Sequence, residues 1–447
     1  MNAIKRFFAR ALQRAMHAAI PVMPYREPKL ITEPGGVVEL LKEKGIGGVM
    51  LVTDRVIRGL GLTAPLERMI ADGGIVCTVY DGTMPNPTSD NVEEATALYL
   101  KKECRALIAF GGGSAIDCAK AVGARIARPK TPLSGMQGLL KIRRSIPLLI
   151  AIPTTAGTGS ETTLAAVIVD SKTHRKYVIN DFCLIPKYAL LDPAVTLGLP
   201  PHITATTGMD ALTHAVEAYI GGARTKDTKA SAERATELIF SNLERAYEHG
   251  DDVEARANML HAAYLAGTAF TKSYVGYVHA VAHTLGGQYG IAHGLANAVL
   301  LPKLLRAYGT SATKRLAELA RAVNLAPTDT PDGDAAEIII AHIEKMNARM
   351  GIPESFPALR KTDIPDMAKL ADREANPLYP VPVLWNSKEL EQIYHLVYSG
   401  EEDNKARTAA EIPPLHQKQA ENHARRHKIS APRRDRPRLN KHSECPR

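Results

Sequence analysis

Residues 276–294, GYVHAVAHTLGGQYGIAHG, place His279, His283 and His293 within one short segment of a 447-residue chain that has 15 histidines in all. A lone histidine on an apolar face is ordinarily a core residue with satisfied ring nitrogens. Three of them, in a segment without Asp, Glu, Lys or Arg, point instead to a metal ion, which needs at least one ligand from elsewhere. The segment TTGMDALTHAVEAYI (206–220) supplies candidates. Asp210 and His214 are four residues apart, so on a helix they share a face one turn apart. One carboxylate with several imidazoles is a donor set suited to a divalent first-row cation. Five side chains then compete for about four places. Spacing alone favours His279 with His283, again one helical turn apart, while His293 follows a glycine-bearing stretch where the chain can turn back. Spacing does not decide between these pairs.

A second chemical signal is ALIAFGGGSAIDCAKAVGARIA (106–127), an apolar strand, a glycine run and a helix. Glycines let a backbone approach a pyrophosphate closely, and the N–H groups at a helix start favour negative charge. The usual dinucleotide fingerprint has an acidic residue about 20 positions after its glycines. Here the best acidic candidate, Asp54, precedes them, so the sheet is of a different kind. A carboxylate at a strand end accepts hydrogen bonds from both ribose hydroxyls of NAD and repels the 2′-phosphate of NADP. The plainer role for Asp54 is a helix N-cap. In PTTAGTGSETT (153–163), Thr154, Thr155, Thr158 and Ser160 offer donors to phosphate or nicotinamide groups, or else form an ordinary loop.

The elements that must position these residues fall into four stretches. Residues 1–30 open with IKRFFARALQRAMHAAI, which has helical spacing. Phe8, Leu12, Met16 and Ile20 lie on one face, and Arg6, Arg10 and Arg14 on another. A basic, acid-poor start can be a transit peptide; the preferred reading is a helix packed on the protein's own surface, since no cleavage signal follows. From 31 to 197 helical and strand-like segments alternate, the strands being GGVMLVTD (47–54), GIVCTVYDG (74–82), ALIAFGGGS (106–114) and PLLIAIPTT (147–155). That alternation predicts a parallel sheet covered by helices, an α/β dinucleotide-binding domain. From 198 to 400 helical patterns dominate, predicting an all-helical, metal-binding domain. Residues 401–447 are basic, punctuated by proline and poor in large apolar side chains, and are expected to be disordered.

Bulk properties exclude several classes. No apolar run approaches the roughly 20 residues of a membrane-spanning helix. The 5 cysteines are scattered, which argues for reduced thiols and against a thiolate metal cluster. The formal charge of +9 resides in the two ends, leaving the middle close to neutral. A specific nucleic-acid partner is therefore not expected.

Taken together, FGGGSAIDCAK, PTTAGTGSE, LLDP, GMDALTHAVEAY and GYVHAVAHTLGGQYGIAHGLANAVLLP resemble the iron-containing (group III) alcohol dehydrogenases over about residues 25–399. The resemblance implies the two-domain fold shared with dehydroquinate synthase, with the site in the cleft between domains. It implies Asp210, His214, His279 and His293 as metal ligands and leaves His283 beside the metal and the nicotinamide for proton handling. It places Asp54, Asn86, Gly112, Gly113, Ser114, Thr154, Thr155, Thr158 and Lys176 at NAD(H)-contacting positions. The activity implied is interconversion of a small primary alcohol or diol and its aldehyde, with Fe2+ or Zn2+ acidifying the alcohol and hydride passing to nicotinamide. A homodimer or higher homo-oligomer in the cytoplasm is expected. A lyase of the dehydroquinate synthase type needs several basic residues around a phosphorylated acid, and the histidine-bearing segments are nearly free of Lys and Arg. Glycerol dehydrogenase-type enzymes are nearer alternatives.

Overall fold

In the computed structural model, which describes residues 3–399, the chain begins with helix α1 (Ala3–Ala19) and strand β1 (Lys29–Ile31). A βα series follows: α2 (Gly35–Glu43), β2 (Gly48–Val52), α3 (Arg55–Gly59), α4 (Ala64–Asp72), β3 (Val76–Tyr80), α5 (Ser89–Lys101), β4 (Ala106–Gly111) and α6 (Gly113–Ala127). The series ends with β5 (Gly138–Leu139), β6 (Leu148–Pro153), β7 (Ala165–Val169), β8 (Lys176–Asn180) and β9 (Tyr188–Leu190). The expected disordered tail, 401–447, lies outside the described residues.

Six strands form one parallel sheet in the order β1-β9-β6-β4-β2-β3. The central strands are buried from end to end because helices cover both faces, which is why they read as continuous apolar runs. Alternate side chains serve the two faces. Met50, Val52, Leu107 and Ala109 pack with α5 and α6, while Val49, Leu51, Ile108 and Phe110 pack with α2 and α4. Strands β2, β3, β4 and β6 coincide with the four apolar runs of the sequence. The short β5, β7 and β8 form a separate three-stranded sheet in the order β5-β8-β7.

From β2 the chain moves outward to β3 and then returns to the other side of β2 as β4. The carboxyl ends of β2 and β4 thus form a crevice at a topological switch point, where open α/β sheets bind ligands.

After β9 the protein is helical: α7 (Pro201–Ile220), α8 (Lys226–Glu248), α9 (Val253–Ser273), α10 (Tyr277–Tyr289), α11 (His293–Tyr308), α12 (Thr310–Ala322), α13 (Asp332–Arg349), α14 (Ile364–Ala375) and α15 (Ser387–Leu396). Helix α7 is buried over almost its whole second half, so it forms the axis around which α8, α9 and α11 pack. None of the described helices is long and apolar enough to cross a membrane.

Two features depart from the sequence pattern. Helix α1 does pack on the protein, but not through the expected stripe: within the helix Ala9 and Gln13 are buried while Phe8 and Leu12 face outward, and of the stripe only Ile20, just past the helix end, is buried. The reason is hydrogen bonding. Arg10 donates to the carbonyls of Val381 and Pro382, and Gln13 to those of Pro377 and Tyr379. The second feature is Lys120, wholly buried on α6. Its ammonium lies 2.7–2.9 Å from the carbonyls of Ser160, Thr163 and Ala165 and from the Thr163 hydroxyl, four acceptors that share its three hydrogens. Burial pulls its pKa down to about 8, against the opposing pull of Asp117 and Glu161. Lys120 therefore pins the 158–165 loop to the helix that starts at the glycine run.

Replacing Lys120 by Met strands these carbonyls without a donor inside the protein. The expected cost is about 3–5 kcal/mol, read as a lower denaturant midpoint at unchanged slope. A loss below roughly 1 kcal/mol would show that the ammonium is not what holds the loop.

Candidate metal and dinucleotide site

Asp210 and His214 project from the buried second half of α7, His279 from α10 and His293 from the first turn of α11. One ligand atom from each of these four side chains lies within 4.8 Å of every other. The Asp210 carboxylate stands 3.4 Å from His293 Nε2 and 3.9 Å from His279 Nε2. The His214 ring stacks on His279 at 4.5 Å and on Phe270 at 4.1 Å, so its plane is fixed from both sides. The turn from α10 to α11 runs through Gly290 in the left-handed conformation. A glycine is also required at 294, because a Cβ there would lie 2.3 Å from the Thr206 carbonyl. Only that bare backbone lets α11 close on α7 beside Asp210.

The electrostatics of the group are those of a cation site. Burial lowers the pKa of His214, holds that of His279 well below the ordinary histidine value and brings His293 down to about 4. The imidazoles are therefore neutral and keep a lone pair. Asn297, one turn along α11 from His293, reaches Asp210 at 2.6 Å and the two Nε2 atoms of His293 and His279 at 3.1 and 3.3 Å. A single amide cannot satisfy three acceptors with two hydrogens. The surplus of buried lone pairs fits a divalent cation with nitrogen and oxygen ligands.

Glu217, one turn beyond His214, supports the group from outside. It accepts from the Gly276 and Val278 backbone N–H groups at 2.8 Å and lies 2.6 Å from His279 Nδ1. It thereby ties α7 to the start of α10 and directs His279 Nε2 inward.

His283 does not belong to this four-membered group. Its ring stacks on His293 at 5.2 Å, and its Nδ1 lies 2.6 Å from Glu374 on α14. Burial and the Lys176 charge disfavour its charged form, but the Glu374 carboxylate overrides them and raises its pKa. Tyr379 donates to the same carboxylate at 2.9 Å.

The residues expected to contact a dinucleotide gather at the switch-point crevice. Asp54 is the N-cap of α3, where one carboxylate oxygen accepts from Ile57 N at 2.9 Å. Its other oxygen faces Gly111, so the cap role leaves half of the carboxylate free. Gly112 is the N-cap of the 15-residue α6. Thr155 and Thr158 press against Gly112 and Gly113, so the loop after β6 closes over the glycine turn. Thr154 is buried, its N–H donating to Gly111. Ser160 is not available to a ligand: its hydroxyl donates to Asp117 at 2.7 Å. Asn86 N donates to Ser114 Oγ, and Lys176 donates to the Asn86 side chain at 2.7 Å. The Lys176 charge acts on both His283 and His293, which sets the two halves of the site side by side.

Several of these residues carried no sequence assignment. Asp117 and Lys120 stand inside the glycine-run motif, and Glu217 is three residues after His214, so local spacing could have flagged them. Asn297, four residues after His293, could have been flagged in the same way, whereas Glu374 gave no such sign.

Comparison with known proteins agrees with this arrangement. The model for iron-containing alcohol dehydrogenases matches residues 29–193, and that for the C-terminal region of the Fe-containing alcohol dehydrogenase family matches residues 204–398. The 1,3-propanediol dehydrogenase of Citrobacter freundii is 36% identical over 383 residues, covering 85% of this chain and 98% of that protein. The NAD-dependent methanol dehydrogenase of Bacillus methanolicus is 34% identical over 349 residues, 77% of this chain and 91% of that one. A solved structure of 1,3-propanediol oxidoreductase superimposes with a TM-score of 0.80 at 34% identity, covering 84% of this chain and 98% of that chain. With both halves of the chain matched in order and the histidine-carboxylate group gathered within the second, the protein belongs to the iron-containing alcohol dehydrogenase family.

Proposed function

We propose that the protein interconverts a small primary alcohol or diol and its aldehyde, using NAD(H) and a divalent cation, Fe2+ or Zn2+, held by Asp210, His214, His279 and His293. The observation that carries this reading is the convergence of those four side chains beside His283 and the dinucleotide crevice. The cation supplies acidification of the alcohol hydroxyl and polarisation of the aldehyde carbonyl, and the nicotinamide supplies the hydride chemistry. A lyase of the dehydroquinate synthase type is not favoured, since the relatives matched above are named as alcohol and diol dehydrogenases.

The roles of the chain's own residues follow from geometry. Glu217 fixes His279 with Nδ1–H outward and Nε2 inward. Glu374 holds His283 by Nδ1, leaving Nε2 as the atom that takes and returns the substrate proton. The α6 N-terminus, with Gly112, Gly113, Ser114, Thr155 and Thr158 around it, receives the pyrophosphate. Thr154 shapes the same turn from beneath, and Asn86 with Lys176 closes it towards the nicotinamide. The free oxygen of Asp54 accepts from the adenosine ribose. A homo-oligomer working in the cytoplasm completes the proposal. An NADH-absorbance screen over short alcohols, diols and aldehydes, run on anaerobically purified protein, tests the activity; no turnover with any of them would reject it.

His279→Ala and His293→Ala are each expected to lose bound metal together with activity, as measured by elemental analysis. His283→Ala keeps the metal and loses about 100-fold or more in kcat. An emptied site in His283→Ala with metal retained in His293→Ala would reverse the assignment.

Glu374→Gln keeps metal and NADH affinity but lowers kcat by about 10- to 100-fold. Unchanged turnover would mean that His283 needs no partner.

Asp54→Gly is a clean probe of cofactor choice, because glycine in place of an N-cap aspartate costs only a few tenths of a kcal/mol. The preference for NADH over NADPH in kcat/KM should narrow by about tenfold, roughly 1.4 kcal/mol. A wild type that uses NADPH equally well would remove the role given to this carboxylate.

A further inference from the structure

A surface helix normally buries its apolar stripe and turns its charges to water. Helix α1 does the reverse. Its inner face is held by Arg10 and Gln13 on the carbonyls of residues 377–382 and by an ion pair between Arg6 and Glu389 at 3.5 Å. Its outer face presents Ile4, Phe7 and Phe8, which are 67%, 69% and 66% exposed, together with Leu12. At 100° per residue these side chains form one continuous strip, bordered by Lys5 on one side and Arg14 on the other. The helix has four basic residues and no acidic one.

We infer that this face docks on an anionic lipid surface. The chemistry is that of an interfacial helix, with aromatic and aliphatic side chains entering the headgroup boundary and flanking bases meeting lipid phosphates. Charge sets this occupant apart from two others. A second copy docking face to face would oppose two strips that are each flanked by the bases Lys5 and Arg14, on a helix without acidic residues. The sequence of segment 400–447 has 12 Lys/Arg against 7 Asp/Glu, a net charge that does not complement the basic flanks of the strip. No described helix can cross a bilayer, so the attachment is peripheral. Because α1 is fixed by its polar side, lipid contact leaves its hold on residues 377–382 in place.

The test is sedimentation of the full-length protein with vesicles of phosphatidylcholine, alone or mixed with phosphatidylglycerol. Wild type is expected to pellet with the mixed vesicles and stay in solution with pure phosphatidylcholine. The double variant F7S/F8S changes only exposed side chains. It should bind the mixed vesicles about tenfold less tightly or worse, with unchanged melting temperature and turnover. No binding of wild type to the mixed vesicles would overturn the inference, and so would binding that F7S/F8S leaves intact. A change in oligomeric state of F7S/F8S in sedimentation velocity would assign the face to a second copy instead. Vesicle binding and oligomeric state, the readouts that decide the inference, depend on neither the metal nor the cofactor.

Discussion

Bringing a carboxylate and three imidazoles within 4.8 Å of one another inside a protein is expensive unless something positive satisfies them. Their lone pairs repel, burial strips Asp210, His214 and His279 of water, and the Asn297 amide has only two hydrogens to offer. Much of the helical half is built around this constraint. Helix α7 is buried to carry two of the four side chains. Gly294 lets α11 come close enough to deliver a third, and Glu217 spends its carboxylate on the first turn of α10 to deliver the fourth. Without a cation such a group is a knot of unsatisfied acceptors, so under the proposed function metal binding and local folding would be coupled here.

The His283 side obeys a different constraint. His283 sits among the same imidazoles, yet its pKa is raised where theirs fall, because Glu374 stands against it. Glu374 is held in turn by Tyr379, and the carbonyls of residues 377–382 are held by Arg10 and Gln13. A chain of contacts therefore leads from the first helix of the protein to the histidine beside the metal group. The dinucleotide side has a parallel arrangement, in which Lys120 anchors the loop that bears Thr155 and Thr158 over the glycine turn.

What could be read from the sequence was what is encoded locally. The apolar runs of β2, β3, β4 and β6, the helix-rich second half and the crowding of histidines around 279–293 are all short-range patterns. The choice between His283 and His293 was not local. Helical spacing favours the pair four apart, but α10 directs His283 towards α14 while the turn through Gly290 brings His293 back onto Asp210. Glu374 was illegible because its partner lies 91 residues away in sequence. The inversion of α1 was illegible for a related reason. Periodicity shows that a helix has two faces; which one faces inward depends on free carbonyls elsewhere in the chain.

The most direct measurement is anomalous diffraction at the iron and zinc edges from crystals of the anaerobically purified protein. One strong peak is expected, about 2.0–2.2 Å from a ring nitrogen of His214, His279 and His293 and from an Asp210 oxygen, with His283 outside that distance. A peak bound by His283 while His293 turns away, or no peak among these residues, would contradict the account of the site.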